Sequence, residues 1–141
     1  MKKALVSSFV SVAAVFIFAA CSKSTQTVST GKPITTLTIN NLTATLSNAT
    51  GQLKSGDQEV TLAFSDSSGK PVDVGAVSLN FHMPGMGSMA PMNDAVTFTT
   101  TDTPGIYRGQ VKIEMAGEWQ GQLAYEGPAG KGKTTFSVTA R

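Results

Sequence analysis

Cysteine is nearly absent from this chain: Cys21 is the only one among 141 residues. No intramolecular disulfide can form, so an exported domain with this sequence must be held together by its apolar core alone. Because Cys21 lies close to the N-terminus, ahead of the predicted domain, a metal site made of thiolates is also excluded from that domain.

Histidine is equally scarce, since His82 is the only one. A single histidine cannot supply the several imidazoles of a catalytic zinc site. With no thiol in the domain, the spacing supports no Ser-His-Asp or Cys-His set for covalent catalysis. No glycine-rich loop of the kind that holds phosphates is present either. The sequence therefore does not predict an enzyme.

Charged residues make up only 14% of the chain and form no run of one sign. Eleven Lys and Arg residues stand against nine Asp and Glu residues, but Lys2 and Lys3 belong to the extreme N-terminus. The remaining nine basic residues balance the nine acidic ones. No basic patch is interleaved with aromatic residues, which argues against nucleic acid as a partner.

The N-terminus has the parts of an export signal. A basic start, Met1-Lys2-Lys3, is followed by an almost wholly apolar run over residues 4–20. The segment Phe18-Ala19-Ala20-Cys21 resembles a bacterial lipobox, in which signal peptidase II cleaves before a lipid-modified cysteine. Phe18 departs from the leucine usual at that position. We predict a signal peptide over residues 1–20 and lipidation of Cys21; the alternatives are an ordinary signal peptide and an uncleaved membrane anchor.

A lipid on Cys21 would place the protein in a bacterial cell envelope, attached to the membrane and facing the periplasm or the cell surface. In the sorting pattern that the lipobox resembles, a residue other than Asp after the cysteine, here Ser22, indicates the outer membrane of a two-membrane cell. Residues 21–37 begin with a Ser/Thr/Lys-rich stretch without apolar periodicity and are predicted to be a flexible tether. A single domain is predicted over residues 38–141.

Apolar and polar residues alternate with period two through most of this domain, as in Leu42, Ala44 and Leu46. Such alternation is typical of half-buried strands. Turns that contain Gly and Pro separate the alternating segments, and no segment shows helical periodicity. The pattern predicts an all-β, immunoglobulin-like antiparallel β-sandwich of about seven strands. The residues expected between its two sheets are Phe64, Leu79, Val111, Ile113, Trp119, Leu123 and Phe136.

Four of the six methionines and the only histidine fall within residues 81–92. Met83, Met86, Met89 and Met92 recur every third residue, but two prolines and two glycines between them break any helix. We therefore predict a surface loop that exposes thioethers. Thioether sulfur and imidazole nitrogen suit a soft cation, chiefly Cu(I), and the proposed ligands are His82 and these four methionines.

Each candidate ligand also has an interpretation that involves no metal. Met83 shares the inward parity of its strand and could equally be core, whereas His82 has the outward parity and could be a surface histidine. The other three methionines could be adaptable apolar filler or scavengers of oxidants. Asn93 and Asp94 are interpreted as a turn, with Asp94 a poor oxygen ligand for Cu(I). Met115 and Trp119 are assigned to the core.

Three segments occur in an order that resembles the YtkA-like domain and the related FixH-type proteins. They are VSLNFHMPGMG at 77–87, PGIYRGQV at 104–111 and MAGEW at 115–119. The resemblance covers about residues 38–140 and implies an immunoglobulin-like sandwich on the outer side of a membrane. Such domains are associated with copper handling and with assembly of copper-containing respiratory oxidases. Many relatives carry a histidine after the MPGM segment, whereas here the only histidine precedes it.

Together these features predict an extracytoplasmic lipoprotein that binds Cu(I) through its methionine-rich loop. It would act as a copper carrier or accessory chaperone for envelope copper proteins, with an oxidase subunit or an efflux component as the recipient. The alternative is an interaction module, in which the methionines form an apolar patch that docks another envelope protein. The sequence leaves open delivery or detoxification, and the oligomeric state.

Overall fold

A computed structural model describes residues 31–141, which form nine β-strands and no helix. The strands are β1 Lys32–Ile39, β2 Leu42–Asn48, β3 Gly56–Ser65, β4 Ala76–Met83, β5 Met92–Ala95, β6 Thr97–Thr100, β7 Ile106–Ile113, β8 Gly117–Gly127 and β9 Gly130–Ala140. The predicted signal peptide over residues 1–20 and the predicted lipidation of Cys21 lie outside the described residues.

The strands form two antiparallel sheets, one in the order β1-β2-β3-β7-β6 and the other in the order β5-β4-β8-β9. The run β2-β3-β7-β6 has the order of strands A, B, E and D of an immunoglobulin constant domain, and β4-β8-β9 has the order of C, F and G. The predicted all-β sandwich is confirmed. Its seven predicted strands correspond to these two runs, and β1 and β5 extend the sheets beyond them.

Strand β1 begins at Lys32, ahead of the domain start predicted at residue 38. It pairs with β2 along its length, but the register shifts between Pro33 and Thr35. This irregularity, together with the consecutive threonines Thr35 and Thr36, hides the alternation that marks the other strands. Residues 32–37 therefore carry a strand within a stretch whose composition suggested a tether.

The core lies between the sheets and contains six of the seven residues predicted for it. Phe64, Leu79, Val111, Ile113, Trp119 and Leu123 are all buried. The seventh, Phe136, is only partly buried, although it packs against the same cluster. The prediction of full burial was wrong for this residue because β9 is an edge strand, so Phe136 lacks a neighbouring strand on one side.

Gly121 makes room for the ring of Phe136, which lies opposite it across the β8–β9 ladder. A methyl group at Gly121 would collide with that ring, which also packs edge-on against Phe81 at 6.4 Å between centroids. We expect Gly121→Ala to lower the free energy of unfolding by about 1–3 kcal/mol, the usual cost of overpacking a protein core. Urea denaturation measures this change. Gln122→Ala, on the outer face of the same strand, is the control and should stay within about 0.5 kcal/mol; equal stability of both variants would contradict this packing.

Candidate metal centre

The methionine segment forms the tip of a β-hairpin made by β4 and β5. His82 lies opposite Asn93 and Met83 lies opposite Met92. The same pairing register continues to an isolated bridge between Met86 and Met89, so the two arms stay aligned up to the tip. The predicted loop is therefore confined to residues 84–91, and Met92 begins β5 instead of lying within the loop.

A two-residue turn of Gly87 and Ser88 closes the hairpin. The N–H of Met89 donates to the carbonyl oxygen of Met86 at 2.9 Å, and Gly87 has a φ of 58° while Ser88 stays out of the positive region. A positive φ at the first central position alone is the pattern of a type II′ turn, which favours glycine there and matches strand twist. The local sequence thus holds the two methionines opposite each other.

Gly85 lets the two arms of the hairpin approach closely behind this turn. A Cβ at Gly85 would lie 2.9 Å from the carbonyl oxygen of Met89 and 3.2 Å from Cδ of Pro91. Only a residue without a side chain fits such an approach without displacing the backbone. The absence of a side chain at Gly85 therefore lets the two arms lie close together between the regular stem and the tip.

The four methionines of the segment divide into two pairs with different environments. Met86 and Met89 are 66% and 44% exposed, whereas Met83 is only 6% exposed. Met92 is partly buried and packs against the core beside Met83, whose terminal methyl would lie 3.0 Å from a Cβ at Gly117. The hairpin therefore brings Met86 and Met89 together at the surface, while Met83 and Met92 occupy packing positions.

His82 lies on the outer face of the four-stranded sheet, where its ring is held by Asn93. Nδ1 of His82 lies 2.9 Å from Oδ1 of Asn93, and Nδ2 of Asn80 donates to the same oxygen at 3.3 Å. An amide oxygen can only accept a hydrogen bond, so this contact requires that Nδ1 of His82 carries the proton and donates. The other ring nitrogen, Nε2, then keeps its lone pair, which is the form that binds metals.

Asn93 is the site residue that the sequence analysis missed, because Asn93 and Asp94 were interpreted as a turn. The structure places both in β5, and that prediction was wrong. Composition favours a turn at Asn-Asp, but pairing with β4 overrides this preference. A signal was available: counting outward from Gly87-Ser88 as the centre of a hairpin sets Asn93 opposite His82.

The remaining candidates near the hairpin are engaged in structural contacts. Oδ2 of Asp94 accepts the backbone N–H of Glu114 at 3.0 Å, which ties the hairpin stem to the link between β7 and β8. Nε1 of Trp119 donates to the carbonyl oxygen of Met115 at 3.1 Å. Trp119 is 1% exposed, which confirms its core assignment, whereas Met115 is only partly buried and packs against the core.

Within residues 31–141, no group of three or more His, Cys, Asp or Glu side chains is arranged to hold a metal ion. Methionine sulfur is not one of those donors. In the same part of the chain, no helix has the length and hydropathy needed to cross a bilayer.

The sequence model of the YtkA-like family matches residues 36–124. The matched span runs from within β1 into β8 and includes the whole hairpin, His82 and Trp119. No curated protein and no solved structure matches the chain. Because the family match covers more than half of the sequence and agrees with the three segments that suggested it, the chain belongs to the YtkA-like family.

Proposed function

We propose that this protein is an extracytoplasmic lipoprotein that binds Cu(I) and carries it to copper proteins of the cell envelope. Met86 and Met89 supply the sulfur donors, and His82 supplies a nitrogen donor. The observation that carries the proposal is the pair of exposed methionines facing each other across the type II′ turn.

Exposure of this pair has no explanation in packing. Met86 and Met89 are the exposed large apolar side chains among the described residues, and they occupy neighbouring positions on one turn. Thioether sulfur is neutral and soft, so it binds Cu(I) without losing a proton and discriminates against harder cations. Copper outside the cytoplasm is thereby held without thiols, which oxidise there.

Strand alternation favours His82 as the third donor and disfavours Met83 and Met92. Side chains four residues apart on one arm, such as His82 and Met86, share a face, whereas Met83 falls on the other face. Four residues span about 13 Å in an extended strand at about 3.3 Å per residue. Residues 84 and 85 lie outside the regular strand, and a bend there would shorten this separation and let the imidazole and both sulfurs reach one ion.

Copper transfer would proceed by associative ligand exchange. A donor of the partner enters the shell of the exposed ion, one thioether leaves, and the exchange is repeated until the ion has moved. Individual thioether bonds are weak and the tip of the hairpin is open to solvent, so exchange can start without unfolding any strand. A buried thiolate cage would hold the metal more firmly but would hand it over less readily.

The competing function is a docking module in which the same two methionines contact an apolar surface of another envelope protein. Exposed apolar side chains that lie side by side are a feature of interaction sites. An anaerobic titration with a coloured Cu(I) chelator separates the two functions. We expect the protein to withdraw one equivalent of Cu(I) from the chelator; no competition at any protein concentration would reject the copper proposal.

Asn93→Ala tests the role of the His82 tautomer. Without the Asn93 oxygen the imidazole loses its orienting partner, so the proton redistributes between Nδ1 and Nε2 and Cu(I) affinity falls by about 10–100-fold, as is usual for such partners. Nitrogen NMR of the imidazole and the chelator titration measure the two effects. Asn80→Ala is the matched control, because it leaves the bond between His82 and Asn93 intact. An unchanged tautomer in Asn93→Ala would contradict this assignment.

Membrane attachment is tested at Cys21. We expect the wild-type protein in the membrane fraction, with a lipid on its N-terminal cysteine in mass spectrometry. Cys21→Ser should escape cleavage by signal peptidase II and retain residues 1–20, because that enzyme requires the lipid-modified cysteine. A soluble wild-type protein with an unmodified N-terminus would exclude the lipoprotein.

A further inference from the structure

The hairpin tip and the point where the chain enters the domain lie at the same end of the sandwich. Lys32, the first residue of β1, pairs with Asn48 at the end of β2, next to Gly51, whose Cβ would lie 3.0 Å from that of Lys32. Leu53 bridges Ala140, and Ala140 pairs with Gly117 at the start of β8.

The same series of contacts then reaches the hairpin. A Cβ at Gly117 would lie 3.0 Å from the terminal methyl of Met83, the last residue of β4. The chain continues from Met83 directly into the hairpin tip. The entering chain, the end of β9 and the methionine hairpin therefore share one end of the molecule.

The hairpin tip is uncharged, although other positions at its end of the sandwich are charged, namely Lys32, Lys54, Glu114 and Arg141. Residues 84–91 at the hairpin tip include no charged residue. The connections at the far end carry Asp66, Lys70, Asp73 and Asp102, and the hydrogen bond from the Ser68 hydroxyl lowers the pKa of the Asp66 carboxyl. Within its end of the sandwich, the hairpin tip is therefore the uncharged part, and it suits an apolar or metal-bearing surface.

We propose that the hairpin faces the membrane that holds the lipid anchor, so that copper is exchanged with a metal site of an integral protein in that same membrane. This inference rests on the proposed function, in particular on lipidation of Cys21. From Cys21 to Lys32 the chain spans at most about 40 Å. The sandwich is itself roughly 36 Å long, the length of the eleven residues of β8 in extended form. For the far end to face the bilayer, the tether would have to run along the whole sandwich almost fully extended. Attachment at the hairpin end therefore favours the orientation in which that end faces the bilayer.

Energy transfer from single labels to the bilayer tests this orientation. Ser88→Cys places a dye at the hairpin tip, and Ser67→Cys places one at the far end; both serines are exposed. Each variant has one reactive thiol, because a lipidated Cys21 cannot react. The lipidated proteins are reconstituted into vesicles with acceptor dyes on the outer headgroups. We expect transfer to be several-fold more efficient from position 88 than from position 67.

Equal transfer from the two positions, or stronger transfer from position 67, would overturn the proposed orientation. A polarity-sensitive dye at position 88 that reports immersion in acyl chains would also overturn it, because lipid would then occupy the hairpin in place of a protein. Absence of both labels from the vesicles would overturn the anchor. Copper binding is measured separately by titrating the wild-type protein, which has no added thiol, so failure of the orientation and failure of the copper site give different results.

Discussion

Replacing Met86 and Met89 together with leucine is expected to abolish Cu(I) binding while the domain stays folded. Leucine preserves the apolar volume and removes only the sulfur atoms. Both side chains are largely exposed, so the free energy of unfolding should change by less than about 0.5 kcal/mol, as for other surface substitutions. The anaerobic chelator titration measures the affinity, and urea denaturation measures the stability.

The matched control is the double change of Met83 and Met92 to leucine. It removes the same number of sulfur atoms from the same hairpin, but from the packed pair. Exchanges of methionine for leucine in protein cores lower the free energy of unfolding by under about 1.5 kcal/mol. We expect this control to bind Cu(I) like the wild type. If the control lost Cu(I) and the Met86/Met89 variant retained it, the ligands would lie in the packed pair and the proposed site would be wrong.

The same leucine variant separates the copper carrier from the docking module. Leucine is as apolar as methionine, so an apolar patch would still bind its partner after both substitutions. His82→Ala should weaken Cu(I) binding less than loss of both sulfurs, because it removes one proposed donor and leaves two.

Trp119→Ala is expected to have the largest effect on stability, lowering the free energy of unfolding by about 3–5 kcal/mol. The indole is 1% exposed within the core, so its removal leaves a large cavity. The carbonyl oxygen of Met115 also loses its donor, at 3.1 Å in the native domain. Domains of this size have a total free energy of unfolding of about 5–15 kcal/mol, so the variant would be close to unfolding. Urea and thermal denaturation measure the loss of stability.

Trp119→Phe is the control for this prediction. It keeps most of the buried ring and loses the hydrogen bond, so it should cost less than Trp119→Ala. In the wild type, the fluorescence of Trp119 should report a buried indole that becomes exposed only on unfolding. An alanine variant with stability within about 1 kcal/mol of the wild type would contradict the packing described for β8.

Much of the fold followed from alternation alone, since Leu79, Val111 and Leu123 lie on the buried face as their parity predicts. The exceptions have physical causes. The register shift at Pro33 concealed the alternation of β1, and the position of β9 at the edge of its sheet left Phe136 partly exposed. Neither the pairing partner of a strand nor its place in the sheet can be read from its own residues.

The amino-acid sequence alone places the donors for a soft cation in one segment, because methionines, histidine and helix-breaking residues coincide there. It also determined the inward parity of Met83. Which sulfurs are exposed depends on the fold: the hairpin register and the type II′ turn at Gly87 expose Met86 and Met89, while packing of the two sheets holds Met83 and Met92. Likewise, the pairing of β4 with β5 sets Asn93 beside His82, because contact between residues so far apart in sequence arises only when the strands align.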